Sequence, residues 1–377
     1  MTSKERVIAA LRHTEPDRVP MGEFAFDHKI IEHYTGKASY WRPFSNAKAQ
    51  IAIWEGRRDM VVESWKEAIV FLAEKMEHDI LAVQLAPSRY KPIDPPRRID
   101  ETTWETADGN ILKYSAQTES IQPAHKAVER DYNESDFPLE DISEPDDSEW
   151  ELVRFAVERY GKTHFILARS GDGTIAFPGG MENALILLME KPEVIAAAIR
   201  QATHQTLQMD RLWAREGVDG LAPGADYAMN AGPLFSPALF ERLCYPAIRQ
   251  HTDAAHKLGL PVLKHACGNN WSLMRYFVEG GYDAYQSIQE SATMDICRLK
   301  REYGQRIALW GGVQVETFVR GTPQQVREEV KRAIAHAAPG GGFILGSSHS
   351  IVNATRPENY EAFLAAWREY RDCPMRG

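Results

Sequence analysis

Short β-prone runs that alternate with helical stretches are the feature that most constrains the fold of this chain. Alternating strands and helices predict a parallel sheet, because each helix returns the chain to the start of the next strand. About eight such units predict a closed barrel. Seven runs have this character: Leu81–Leu85, Phe165–Ala168, Gly220–Ala222, Val262–His265, Ala284–Ile288, Ile307–Trp310 and Phe343–Leu345.

An eighth run, Val19–Phe24, completes the series, although Pro20 inside it removes one backbone donor. The intervening helices are well marked. Thr322 and Pro323 begin the helix before the last run, and the Pro339–Gly340 pair ends it. The sequence therefore predicts an α/β fold, a (β/α)8 TIM barrel, formed as a single domain over residues 1–377.

One segment interrupts this alternation. The runs Trp104–Thr106 and Ile111–Tyr114 flank a turn at Asp108–Gly109, which is typical of a β-hairpin. Antiparallel pairing does not belong to the strand–helix repeat of a barrel. We therefore expect a β-hairpin inserted near residues 100–116.

Charge and cysteine content exclude several classes of protein. The formal net charge is −9, with 44 Lys and Arg against 53 Asp and Glu, so neither a nucleic acid nor an anionic membrane is an expected partner. No apolar run approaches the roughly 20 residues of a membrane span. The four cysteines are scattered and no signal sequence is visible, which predicts a cytoplasmic protein. Cys244, Cys297 and Cys373 are expected only to pack.

The most specific chemical signal is the segment Lys264–Asn270, in which His265 and Cys267 are two residues apart. Positions two apart on a strand point to the same side, and an imidazole beside a thiol suits zinc. His349 follows the last run and is a candidate third ligand, since barrel closure brings strand ends together. The alternative, a hydrogen-bonded core histidine with a small buried cysteine, stays open.

Polar side chains also follow other runs. Asp226 is typical of a general acid or base or of a substrate-binding carboxylate, and equally of a helix N-cap. Arg169 and Asp172 are expected to include at least one structural ion pair. The glycines of the segment Pro339–Gly342 precede a strand, which predicts a tight turn, whereas a phosphate-binding loop follows a strand.

Five segments, in this order and spacing, resemble the uroporphyrinogen decarboxylase superfamily over nearly the whole chain. They are Lys4–Leu11, Pro16–Pro20, Gly232–Pro237, His265–Gly268 and Arg356–Tyr360. Within that superfamily, decarboxylases carry an arginine-rich motif for the porphyrinogen carboxylates where this chain has Met21–Ala25, including the acidic Glu23. The chain is therefore more similar to the zinc- and cobamide-dependent methyltransferase branch.

This resemblance implies the barrel fold, a zinc ion and a homodimer. Members of that branch hold zinc with one histidine and two cysteines; His265 and Cys267 match, and His349 lies where the second cysteine would fall. A neutral imidazole can replace a thiolate on zinc. The methylcobamide is implied to be carried by a separate corrinoid protein, because the segment Asp253–Gly259 lacks the spacing of a corrinoid-binding motif.

The leading hypothesis is a zinc-dependent methyltransferase or demethylase that acts with a corrinoid protein on a small-molecule thiol, amine or methoxy compound. Asp226 is the predicted catalytic residue, and Gln289 could also be a fourth metal ligand. The predicted substrate-binding residues are Glu23, Arg169, Asp172, Tyr227, Asn230 and Gln289. Two alternatives remain: a decarboxylase of a small carboxylic acid, with Arg169 on the carboxylate, and a non-catalytic small-molecule-binding protein.

Overall fold

The computed structural model describes residues 1–42, 46–125 and 131–372, so Cys373 lies outside the described residues. Seven strands match the seven predicted runs, and the others are short or belong to the insertion. In chain order the strands are β1 (Ile80–Val83), β2 (Arg97–Arg98), β3 (Thr103–Glu105), β4 (Ile111–Ser115), β5 (Ser120–His125), β6 (Phe165–Ala168), β7 (Gly220–Leu221), β8 (Ala228–Met229), β9 (Gly232–Pro233), β10 (Leu263–His265), β11 (Ala284–Gln286), β12 (Ala308–Val313) and β13 (Phe343–Ser347).

Helices separate the parallel strands. In chain order they are α1 (Ser3–Leu11), α2 (His28–Thr35), α3 (Ala47–Trp54), α4 (Arg58–Glu74), α5 (Glu151–Tyr160), α6 (Met181–Glu190), α7 (Pro192–Arg215), α8 (Pro237–Leu243), α9 (Tyr245–Lys257), α10 (Met274–Gly280), α11 (Ile296–Tyr303), α12 (Val315–Arg320), α13 (Pro323–Ala337) and α14 (Pro357–Tyr370). Thr322 caps α13 in a capping box, with Pro323 at its start, as the sequence predicts. No helix in the described ranges is long and apolar enough to cross a membrane.

The parallel strands form two sheets, in the orders β1-β6-β7 and β10-β11-β12-β13. A parallel bridge between Leu221 and Val262 links β7 to the start of β10. At the other edge, Met21 bridges to Leu345 of β13, and the Asp79 amide before β1 donates to the Met21 carbonyl at 2.7 Å. A mixed α/β fold with parallel strands is thus confirmed, whereas the closed (β/α)8 barrel stays a prediction.

The expected eighth strand is reduced to isolated bridges. Pro20 has no backbone donor; its carbonyl accepts from the Leu345 amide at 2.9 Å, and the Gly22 amide donates to the Leu345 carbonyl at 3.1 Å. These two hydrogen bonds bring residue Glu23 to the end of β13, next to the loop that carries His349.

Alternation along the strands divides the core into two apolar clusters. Phe165 and Leu167 of β6 belong to one cluster with residues of the other parallel strands, which we call the inner cluster. Ile166 belongs to the larger cluster that includes the helices, which we call the outer cluster. Leu263 of β10 is also in the inner cluster, so His265, two residues later, lies on the same face at the strand's C-terminal end.

The predicted hairpin near residues 100–116 is present as the centre of a four-stranded antiparallel sheet, in the order β2-β3-β4-β5. Trp104 and Ile121 from this sheet pack with Ala47 of α3 in a small separate core. The Glu119 carbonyl accepts from the Ala47 amide at 2.8 Å. The insertion is thereby fixed to α3 and lies apart from the two parallel sheets.

Candidate metal and substrate site

His265 ends β10 and is held by a neighbouring strand. It pairs in register with Gln286 of β11, and the side-chain oxygen Oε1 of Gln286 is hydrogen bonded to His265 Nδ1. Gln286 Nε2 donates to the Ser347 carbonyl at 3.2 Å, which orients the amide so that its oxygen faces the imidazole. His265 Nδ1 therefore carries the proton and Nε2 presents a lone pair. Burial lowers the pKa of His265 to about 4, so the ring is neutral at pH 7.

Cys267 lies two residues further along, with its Sγ 3.4 Å from His265 Nε2. The Cys267 amide donates to Asp226 Oδ1 at 2.7 Å, and burial raises the pKa of the thiol to about 12. The following turn requires glycine: Gly268 has φ of 83°, and a Cβ there would lie 2.4 Å from the Ala228 carbonyl oxygen. This turn aims the thiol at the imidazole.

His349 joins the pair from the loop after β13. Its ring centroid is 5.9 Å from that of His265, and burial lowers its pKa, so it too is neutral at pH 7. One potential ligand atom from each of His265, Cys267 and His349 lies within 4.8 Å of the others. The structure thus brings the three predicted metal ligands together; we call them the metal cluster.

Ser287 connects the two loops that carry the metal cluster. Its hydroxyl donates to the Ser348 carbonyl at 2.7 Å and lies 3.2 Å from Cys267 Sγ. Ser287 is fully buried and has φ of 84°, an unfavourable conformation for a residue with a Cβ. A strained, buried serine in contact with both loops fixes the position of Cys267 relative to that of His349.

Glu23, a predicted substrate ligand, is only 3% exposed and is hydrogen bonded within the protein. Its Oε2 accepts hydrogen bonds from the Ser347 hydroxyl at 2.5 Å and from the Ser347 amide at 3.1 Å. Burial raises the pKa of Glu23 to about 8. The carboxyl group therefore fixes Ser347 at the end of β13, two residues before His349.

Asp172 and Tyr227 lie on the other side of β10, around the buried ammonium of Lys264. Asp172 forms an ion pair with Lys264 and accepts the Ala225 amide at 3.2 Å. The Tyr227 ring centre is 4.3 Å from Lys264 Nζ, and the Tyr227 hydroxyl is hydrogen bonded to the Thr174 hydroxyl. We call Lys264, Asp172 and Tyr227 the buried cation cluster. The structure does not bring these two predicted substrate ligands to the metal cluster.

Arg169, also a predicted substrate ligand, follows β6, and its guanidinium carbon lies 5.1 Å from the centre of the Phe24 ring. The other three predicted residues lie around the opening. Asp226 Oδ1 is 4.0 Å from His265 Nε2, and the Asp226 side chain is 46% exposed. Gln289 accepts the Gly268 amide at 3.1 Å and donates to Ser291 at 3.1 Å, so both ends of its amide hold the loop. Asn230 is exposed in the turn between β8 and β9.

Two residues of this site were not predicted. Gln286 fixes the His265 tautomer, and a lone amide at an inward position of an apolar strand was an available signal. Phe24 stacks on the His265 imidazole, with ring centroids 4.2 Å apart and planes within 5°. That contact had no sequence signal, because it depends on the path of the segment before α2.

A sequence profile of the uroporphyrinogen decarboxylase (URO-D) family matches residues 177–370. Uroporphyrinogen decarboxylase from Pseudomonas fluorescens is 29% identical over 147 residues, 39% of both chains. That of Cellvibrio japonicus is 25% identical over 271 residues, 69% of this chain and 67% of the relative. The chain thus spans about two fifths of the first relative. A methyltransferase structure from Methanosarcina mazei aligns with 98% of this chain and 99% of the methyltransferase chain. The TM-score is 0.69 and the sequence identity is 18%, so the two proteins share a fold.

Proposed function

Since the chain belongs to the uroporphyrinogen decarboxylase (URO-D) family, we propose that it is a zinc-dependent methyltransferase or demethylase that acts with a separate corrinoid protein. Its substrate in this proposal is a small-molecule thiol, amine or methoxy compound. The observation that carries the proposal is the convergence of one thiol and two imidazoles from separate strand ends. The fold shared with a methyltransferase agrees with it.

The donor set fits zinc. Imidazole nitrogen and thiolate sulfur are both ligands that zinc takes in proteins, and three protein ligands leave a position for substrate. His265 Nε2 has its lone pair directed at the cluster, because Gln286 holds the proton on Nδ1. The Cys267 thiol is protonated when burial alone acts on it, so it must lose its proton on metal binding. Zinc held there would lower the pKa of a substrate thiol and fix the direction of its attack.

Asp226 Oδ1 lies 4.0 Å from His265 Nε2, and the Asp226 side chain is half-exposed at the mouth. One of its oxygens accepts the Cys267 amide, which fixes the carboxylate beside the opening. In the proposed reaction Asp226 accepts the proton that the substrate thiol or amine loses. The corrinoid on the partner protein would supply the methyl group to the substrate heteroatom, and its cobalt would keep the electron pair of the broken cobalt–carbon bond.

The proposal includes the architecture around the site. We propose that residues 1–377 form a single domain in which the two parallel sheets close as a (β/α)8 barrel, through the Leu221–Val262 and Met21–Leu345 bridges. His265 and His349 then share one mouth because both follow the C-terminal ends of strands. A homodimer and a cytoplasmic location belong to the same proposal.

Elemental analysis of protein purified without chelators tests the metal centre. We expect about one zinc per chain in the wild type and loss of zinc in Cys267→Ala and His349→Ala. Cys297→Ala is the matched control, because Cys297 is a partly buried cysteine outside the metal cluster. A wild type that neither carries nor takes up zinc would refute the proposal.

A second assay tests the reaction. Methylcobalamin replaces the corrinoid protein as methyl donor, and the absorbance of the demethylated cobalamin reports transfer to a thiol acceptor. We expect activity in zinc-loaded wild type and in Cys297→Ala, and none in Cys267→Ala.

A decarboxylase of a small carboxylic acid is the second candidate. It is favoured by the curated relatives, which are uroporphyrinogen decarboxylases. This alternative predicts turnover without any partner protein and no effect of Cys267→Ala on that turnover. Release of carbon dioxide by the Cys267→Ala variant would therefore separate the two functions.

A further inference from the structure

The ion pair of the buried cation cluster also binds the backbone of a neighbouring loop. Lys264 Nζ donates to the Ala225 carbonyl at 2.7 Å, and Asp172 Oδ2 accepts from the Ala225 amide at 3.2 Å. The Lys264 and Asp172 side chains are 0% and 6% exposed and form an ion pair with each other. Both backbone polar groups of one residue are therefore held by the two members of a buried ion pair.

The residue two positions further along the same loop is held by its side chain. Tyr227 is fully buried, its ring centre lies 4.3 Å from Lys264 Nζ, and its hydroxyl is hydrogen bonded to Thr174. The Thr174 amide donates to Asp172 Oδ1 at 3.1 Å, which connects these contacts to the ion pair. Asp226 therefore lies between two residues that the cluster fixes, one by its backbone and the other by its side chain.

The Asp226 side chain extends to the metal cluster, on the opposite side from the ion pair. Its Oδ1 accepts the Cys267 amide at 2.7 Å and lies 4.0 Å from His265 Nε2. The loop runs beside the end of β10, because the Pro223 carbonyl accepts from the His265 amide at 3.0 Å. With both neighbouring residues fixed, the backbone of Asp226 has little freedom, and its carboxylate is held in one direction.

We propose that Lys264 and Asp172 are positioning residues, whose ion pair directs the Asp226 carboxylate at the metal cluster. An apolar pair of similar volume often stabilises a protein as well as a buried ion pair does, because desolvation offsets the attraction of the charges. Apolar side chains cannot supply a donor and an acceptor to one peptide unit. The orientation of Asp226 stands on these contacts, and only its importance for methyl transfer rests on the proposed function.

The first test detects the orientation of Asp226 through the Cys267 amide, in metal-free protein. Labelling with ¹⁵N-cysteine limits the NMR spectrum to the four cysteines of the chain, and Cys267→Ser identifies the Cys267 resonance by its loss. Asp226→Ala then shows where this resonance lies without the hydrogen bond to Oδ1. Because neither metal nor turnover is needed, the result does not depend on the proposed function.

Two double variants remove both charges together, which keeps the protein folded. Lys264→Met with Asp172→Leu removes both contacts to Ala225, so the Cys267 resonance should move most of the way to its position in Asp226→Ala. Lys264→Met with Asp172→Asn keeps an oxygen for the Ala225 amide, so a smaller displacement in the same direction is expected. Urea denaturation verifies the fold, and an unmoved resonance in whichever of the two is folded would overturn the proposal.

The matched control is Asp210→Leu with His251→Leu. Asp210 of α7 and His251 of α9 form a second buried acid–base pair, with Oδ2 and Nε2 2.8 Å apart and both side chains 1% exposed. Neither side chain is hydrogen bonded to Ala225. The Cys267 resonance should keep its wild-type position in this control. A displacement as large as that in Lys264→Met with Asp172→Leu would reflect a general loss of packing and would overturn the proposal.

The second test measures zinc content and methyl transfer from methylcobalamin to a thiol. Lys264→Met with Asp172→Leu should bind as much zinc as the wild type, because it retains His265, Cys267 and His349. Its kcat should fall about 10- to 100-fold with little change in the KM for the thiol, because a displaced carboxylate affects proton removal more than binding. Loss of zinc, or a wild-type kcat, would contradict a role of the ion pair in positioning Asp226 for the reaction.

The two tests distinguish failure of this proposal from failure of the proposed function. A wild type without methyl transfer, together with the expected displacement of the Cys267 resonance, would overturn the proposed function and leave the orientation of Asp226 standing. Methyl transfer by the wild type, with an unmoved resonance in the double variants, would overturn the positioning role and leave the proposed function intact.

Discussion

The two faces of β10 carry chemically different clusters only one residue apart. Lys264 points to the outer side, where the Asp172 carboxylate and the Ala225 carbonyl accept from its ammonium. His265 points to the inner side, where Gln286 binds one ring nitrogen and the other faces Cys267. The outer face has its polar groups paired within the protein, which is typical of a structural cluster. The inner face leaves donor atoms available, which is typical of a binding site.

Among the changes considered, breaking the buried cation cluster should lower the stability of the protein most. Lys264→Met leaves the Asp172 carboxylate buried without its partner, and we expect the free energy of unfolding to fall by about 3–5 kcal/mol. Urea denaturation measures this change. The double variant Lys264→Met with Asp172→Leu should recover much of the loss, because it removes both charges. Equal losses in the single and double variants would contradict a structural ion pair.

A change on the inner face should affect the metal and spare the fold. Gln286→Leu removes the acceptor that holds the His265 tautomer, and we expect zinc affinity to fall about 10- to 100-fold. Competition with a chelator of known affinity gives the constant, and circular dichroism gives the stability. Unchanged zinc affinity would show that Gln286 does not orient His265.

His78 is a buried imidazole that belongs to neither the buried cation cluster nor the metal cluster, so it provides a comparison with the two metal-ligand histidines. Its Nε2 is 3.0 Å from the Tyr360 hydroxyl, and burial lowers its pKa to about 3. Because this value lies below the unfolded value of 6.5, the unfolded chain binds more protons in between, and stability falls as pH decreases below 6.5.

The expected effect of His78→Gln is a shallower loss of stability in acid. Between pH 6.5 and 5.5 the wild type should lose about 1 kcal/mol more than the variant, measured by denaturation at each pH. Zinc content should be the same in both proteins. A variant with the wild-type pH dependence would show that another group titrates in this range.

Most of the secondary-structure elements could be predicted from the sequence. The seven predicted runs all coincide with strands, and the turn at Asp108–Gly109 lies between β3 and β4 as expected. Periodicity and turn residues are local signals, which is why they succeed. The Val19–Phe24 run was harder, because Pro20 limits its pairing to isolated bridges.

The residues of the metal and substrate site could be predicted from the sequence only in part. Strand periodicity predicts that His265 and Cys267 share a face, and barrel closure, together with the resemblance, predicts His349 as the third ligand. Their positions after strands predict Asp172 and Tyr227 as substrate ligands, yet the loop conformation places both beside the buried Lys264. Loop paths depend on tertiary packing, so no local pattern indicates which side of a strand such residues meet.

X-ray absorption at the zinc edge tests the metal cluster most directly. The account predicts one sulfur neighbour at about 2.3 Å and imidazole nitrogens at about 2.0–2.1 Å in wild-type protein. In Cys267→Ala, any zinc that remains should lack the sulfur. A wild-type spectrum without sulfur, or one that Cys267→Ala leaves unchanged, would contradict a centre formed by His265, Cys267 and His349.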